Sequence, residues 1–218
     1  AVRATVAPPV PVRRTGAWGR RAVDCPTPTI RSYSPNNFWC AAGKGTGGSN
    51  VTSCSACTGG RGCNPPERIF DLGLSGTINT GAAWNTRDAA EAVVVADISG
   101  GGAVTSSVSM VFLWQSGDNR TDAKDLMAEV SSDGGVTWST LTFSNLPPAT
   151  GRGSQPLSSA VDIQLELSVA QTAPLWRFTF GVASTLDFRL FELGFDATCQ
   201  TPAPTPAPTP APTSAPTP

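Results

Sequence analysis

Histidine is absent from this chain of 218 residues. Without an imidazole, neither the Ser-His-Asp nor the Cys-His arrangement of nucleophilic catalysis can be built. The H-E-x-x-H zinc-protease motif falls with it, and no P-loop or G-x-G-x-x-G follows a strand pattern. Charge is scarce too, at 14% of residues against the usual share of about a quarter. Lys plus Arg number 15 and Asp plus Glu 16, a net charge of −1. That balance gives no electrostatic reason to expect nucleic acid or an anionic membrane as partner. No apolar run approaches the ~18 residues of a membrane span. The sequence therefore predicts no catalytic residue, no cofactor and no metal site. Asp97, Asp133, Glu166 and Glu192 could act as a glycosidase pair only if two of them converged. Without a motif they read as solvated strand or turn residues.

What is plentiful is glycine, at 22, and proline, at 20, which favours turns and extended chain over helices. The start, Ala1-Val2-Arg3, lacks an initiator methionine and reads as a processed end. The six cysteines are Cys25, Cys40, Cys54, Cys57, Cys63 and Cys199. Cys54-Ser-Ala-Cys57 with Cys63 could suggest zinc, but no second such pair follows at finger spacing. An even count fits disulfides formed in an oxidising compartment. Their connectivity stays open. A bridge from Cys199 to the N-terminal cluster would staple the last strand.

Composition divides the chain into residues 1–21, 22–66, 67–199 and 200–218. In the first, Val2, Ala4, Val6, Val10 and Val12 alternate with Arg3, Thr5 and Arg13. The period of two predicts an extended arm with one apolar face. Its prolines bar it from a central strand, so it suits docking on another surface. The second region, rich in Cys, Gly and Ser, reads as disulfide-stapled loops. The third alternates apolar and polar residues. Val108, Met110, Phe112 and Trp114 share one face; so do Val161, Ile163, Leu165, Leu167 and Val169, and so do Trp176, Phe178, Phe180 and Val182. Further strands are expected over 69–74, 92–98, 126–131, 136–143 and 187–195. About eight strands broken by turn residues predict an all-β fold, a two-sheet jelly-roll sandwich. Residues 86–92 allow at most a short turn.

Ser131, Asp133, Gly135, Thr137 and Trp138 spell S-x-D-x-G-x-T-W. Asp and glycine suit a tight turn, under which the tryptophan can pack. The pattern resembles the Asp-box hairpins of sialidases and reelin-type repeats. The whole region is similar to the reelin-like or MAM-like sandwich class, in which such a hairpin is structural rather than catalytic.

Jelly rolls also bind sugar on exposed aromatics, often beside a structural calcium. Trp18, Trp39, Trp84 and Trp114 are the candidate platforms. Trp114 fits a strand core and Trp39 a place against Cys40, which leaves Trp18 and Trp84. Asp118, Asn119 and Asp122 form a weak calcium pattern without EF-hand spacing. Asn50-Val-Thr52 and Asn119-Arg-Thr121 are N-glycosylation sequons in expected loops.

The last region repeats TPAP. Thr201, Thr205, Thr209, Thr213 and Ser214 alternate with Pro202, Pro204, Pro206, Pro208, Pro210, Pro212, Pro216 and Pro218. Such a run favours polyproline II, with a reach of ~56 Å at ~3.1 Å per residue. A four-residue repeat on a three-residue helix turns its prolines and threonines to every side. The run resembles the hydroxyproline-rich glycomodules of plant and green-algal cell-wall proteins, which implies hydroxylated, O-glycosylated positions. These features together predict a secreted glycoprotein at a cell surface, in a cell wall or in an extracellular fibre. Its partners would be covalently attached glycans and copies of itself. The arm would dock on a neighbouring sandwich to build a filament. The alternative is a monomeric carbohydrate-binding module on a glycosylated stalk.

Overall fold

The computed structural model describes residues 25–40, 49–57, 65–70, 84–87, 91–101, 105–115, 122–146, 155–157, 162–182 and 187–200. The arm positions Val2, Ala4, Val6, Val10 and Val12 lie outside these residues. So do the tail from Thr201 to Pro218, Trp18, Cys63, Asp118, Asn119 and Val161.

Strands β1 to β7 run Thr29–Ser34, Phe38–Cys40, Ser49–Val51, Trp84–Arg87, Glu91–Asp97, Thr105–Trp114 and Ala123–Ser131. Strands β8 to β13 run Ser139–Thr140, Gln155–Pro156, Asp162–Gln171, Leu175–Val182, Asp187–Leu190 and Glu192–Gln200. The larger sheet has the order β1-β5-β11-β7-β8, with β9 also paired to β7. Facing it is β10-β6-β13, and β12-β4 and β2-β3 form two ribbons. The chain is an all-β jelly-roll sandwich, as its alternation predicts.

The core lies between the two larger sheets. Trp176, Phe178 and Phe180, at alternate positions of β11, are fully buried. Neighbouring rings in this row stack at 6.1 and 6.3 Å. From the facing sheet, the Phe195 ring lies 5.4 Å from Trp176 and 5.9 Å from Phe178. Burying each such ring stabilises the fold by roughly 1.5–3 kcal/mol. Disulfide Cys25–Cys199 ties the chain just before β1 to β13, Cys40–Cys57 joins the end of β2 to Cys57, and Cys54 is disulfide-bonded as well.

Several expectations need correction. In β6 the inward set is Val108, Val111 and Leu113, all 0% exposed, rather than Val108, Met110, Phe112 and Trp114. The register against β13 slips between Asp196 and Ala197, whose partners are Met110 and Val108. The extra residue, Ser109, is a bulge, and a one-residue slip exchanges the two faces. In β10, Ile163 and Leu165 are buried but Val169 is 70% exposed, within a second register shift between Glu166 and Gln171.

The strand expected over 136–143 shrinks to β8. Leu141 still donates its amide to Ala128, whereas Ser144 donates to Glu166. The chain thus crosses from the edge of one sheet to the edge of the other. Residues 66–70 form a 3-10 segment, not a strand; Pro66 lacks the ladder N–H. Thr29–Ser34 is an edge strand of the larger sheet, not part of a loop region. Trp84 belongs to a strand, is 0% exposed and packs edge-on against Phe188 at 5.3 Å. It offers no platform for a sugar. Asn50 lies in β3 opposite Trp39 rather than in a loop.

Candidate functional site

At one end of the larger sheet, three turns and a bulged strand enclose a groove of about 410 Å³. Small-molecule sites span ~300–1,000 Å³. Its lining includes Arg31, Asp97, Ser99, Gly134, Thr172 and Pro174.

Arg31 reaches the groove because β1 is irregular. Ile30 pairs with Ala96 and Ser32 with Val95, so Arg31 is the unpaired residue of a bulge. Bulges re-aim side chains. Here Nε and Nη2 of Arg31 both donate to Oδ2 of Asp97, at 3.0 and 2.6 Å. Asp97 ends β5, and its Oδ1 accepts the Ser99 hydroxyl at 2.6 Å and the Ser99 amide at 2.9 Å. This is an Asx-type turn. Burial by itself would raise the Asp97 carboxyl, but the Ser99 and Arg31 donors hold it below the ordinary carboxylate range. The side chains of Arg31 and Asp97 are 60% and 4% exposed. The groove therefore meets the guanidinium, and the carboxylate lies beneath it.

The second wall is the β7–β8 turn, where each residue of the S-x-D-x-G-x-T-W stretch has a local task. Ser131 Oγ donates to Asp133 Oδ1 at 2.7 Å and accepts the Gly135 amide at 2.9 Å. Asp133 Oδ1 accepts the amides of Val136 and Thr137 at 3.0 and 2.9 Å, and its Oδ2 accepts the Thr137 hydroxyl. These donors, the Thr137 hydroxyl foremost, hold the Asp133 carboxyl well below the ordinary range. Gly134 and Gly135 take φ of +77° and +95°, a region that disfavours other residues. Trp138 Nε1 donates to the Gly135 carbonyl at 3.0 Å. The Arg177 guanidinium lies over the Trp138 ring at 4.4 Å, and Arg177 Nε donates to Glu129 Oε2 at 2.6 Å. So Trp138 is half-buried beneath the turn and the turn is rigid. Gly134 presents backbone to the groove.

The other predicted sites scatter. Glu166 is exposed on β10. Glu192 is buried at 3%, unlike the solvated strand acid expected of it, and so is Asp97. Asp122 is buried at the start of β7. Among the described residues, no three Cys, Asp or Glu side chains are grouped to hold a metal ion. No helix among them is long and apolar enough to cross a membrane.

Sequence reasoning missed Arg31, Ser99 and Thr172. The Asp-x-Ser spacing of Asp97 and Ser99 was a readable turn signal. Arg31 carried none, because the bulge that aims it also breaks the alternation around it.

No protein-family model matches the chain, and no curated protein matches it. Among solved structures it is similar to the C-terminal domain of a chitobiase from Bacteroides fragilis. The identity is 15% and the TM-score 0.52, over 82% of this chain and 100% of that one. It is also similar to the family 32 carbohydrate-binding module of Streptococcus pneumoniae EndoD. There the identity is 13% and the TM-score 0.50, over 78% of this chain and 95% of that one. At these identities the likeness concerns the fold alone.

Proposed function

We propose that this chain is a non-catalytic glycan-binding module that works outside the cell and bears a glycosylated Pro-rich tail. The observation that carries the reading is the groove. It joins fixed polar groups, Arg31 and Ser99 on Asp97, to the apolar surface of Pro174 and Ala173. Sugar recognition needs that mixture of oriented donors and a flat apolar floor. Asp97 has both oxygens engaged, so it is suited to positioning rather than to proton transfer. One of the solved neighbours named above is a carbohydrate-binding module by name, which supports the same reading. Of the two functions suggested by the sequence, this one draws on the groove and the fold; the fibre reading draws on the sequence of the arm.

Affinity electrophoresis of the full chain through gels cast with neutral and acidic polysaccharides tests the proposal. At least one polymer should retard the protein. Thr172→Trp, which fills the groove from an exposed position, should abolish the retardation. A panel without any retardation, or retardation unchanged by Thr172→Trp, would overturn it.

A further inference from the structure

We propose that the groove selects saccharides carrying an anionic group, a uronate carboxylate or a sulfate ester. This inference rests on the glycan-binding reading above and names its substrate class. The argument is a count of hydrogen-bonding capacity. Among the described residues the one carboxylate in the lining is Asp97, and both of its oxygens already accept from Ser99 and Arg31. It has little left to offer a sugar hydroxyl.

Donors, by contrast, remain. Arg31 spends Nε and Nη2 on Asp97, and its Nη1 has no partner among the described residues. A guanidinium carries five N–H donors and no acceptor. The exposed Thr172 hydroxyl is also without a partner among them. The Thr172 hydroxyl can donate or accept, but a ligand that satisfies the guanidinium must bring acceptors. A planar carboxylate or a sulfate matches the free edge of a guanidinium, and such charge-assisted bonds are about twice as strong as neutral ones.

Exposure sets the sign of the field in the groove. Arg31 is 60% exposed and Asp97 4%, so an approaching ligand meets the cation first. Asp97 holds the guanidinium in place beforehand, which lowers the entropy lost on binding. The protein as a whole has a net charge of −1, so general attraction to polyanions does not explain such a preference.

The test uses the full-length protein and pairs of polymers that differ only in charge. Polygalacturonate is compared with its methyl ester, and a sulfated galactan with its desulfated form, by affinity electrophoresis and calorimetry at near-physiological salt. Binding to at least one anionic member should exceed binding to its neutral partner by about tenfold or more, as one bidentate charged contact implies. The pair that responds identifies carboxylate or sulfate as the group recognised. Arg31→Gln should remove the preference, and Arg31→Lys should keep part of it. Because Arg31→Gln leaves the buried Asp97 without its cation, the wild-type comparison decides the matter even if that variant unfolds. Equal binding to the charged and neutral members overturns the inference and leaves the glycan-binding reading standing. No binding to any of the four polymers overturns both.

Discussion

Two of the disulfides, Cys25–Cys199 and Cys40–Cys57, differ in the length of chain they close, and that difference can be measured. Cys25–Cys199 spans 174 residues of sequence and Cys40–Cys57 spans 17. A cross-link stabilises chiefly by denying the unfolded chain conformations, and its effect grows with the logarithm of loop length. The loop-entropy relation gives about 5 kcal/mol for the long bridge and about 3 kcal/mol for the short one. Domains of this kind have total stabilities of roughly 5–15 kcal/mol, so the long bridge is a large share of the whole. The perturbation is a pair of double variants, Cys25→Ala with Cys199→Ala and Cys40→Ala with Cys57→Ala. Alanine is preferred because Cys40 is 4% exposed and a serine hydroxyl there would add a burial cost of its own. Guanidinium titrations followed by fluorescence give the stability and the slope of each variant. The first pair should lose about 2 kcal/mol more than the second, with a steeper denaturant dependence as the unfolded chain expands. Equal losses, or a larger loss from the short bridge, would refute the entropic account and shift the explanation to local packing.

Three further outcomes follow from the geometry. At Gly181 a Cβ would collide with the Asp125 carboxylate, so Gly181→Ala should cost roughly 1–3 kcal/mol. Adding Asp125→Ala should recover most of that in the same urea titration; no recovery would remove Asp125 from the explanation. Arg177→Met leaves Glu129, 7% exposed, without its cation, and should cost about 1–3 kcal/mol. A loss near zero would show that the pair adds nothing. The Asp133 carboxyl is lowered on folding. Its contribution is therefore complete above the unfolded value of about pH 4 and falls as the pH drops below that. The gap in stability between wild type and Asp133→Asn should be widest at neutral pH and narrow towards pH ~2.5; a constant gap would contradict the hydrogen-bond account of the turn.

The alternation of apolar residues made the sandwich legible. β11 shows it best, because Trp176, Phe178 and Phe180 all point inward on an unbroken strand. The turn after β7 was legible for another reason: its side-chain hydrogen bonds join residues no more than four apart. What escaped were places where one extra residue resets the period. In Thr29–Ser34 the half-buried positions are Ile30 and Tyr33, three apart, because Arg31 is bulged. Periodicity cannot see such a strand, and the groove depends on that residue. β6 fails in the same way at Ser109. Trp84 misled for a different reason. Its polar sequence neighbours suggested exposure, whereas its cover comes from Tyr33 and Phe188, 51 and 104 positions away.

The Cys25–Cys199 bridge also fixes how the molecule would carry tension. The two Cα atoms lie 5.3 Å apart, so Cys25 and Cys199 form one covalently joined point on the sandwich. A pull applied between those two residues is borne by a single covalent link. The strands hang to the side of the line of force, not in series with it. Such a module can sit on a stretched tether with its groove undistorted, and its sheets would come apart under load only after that link had been reduced.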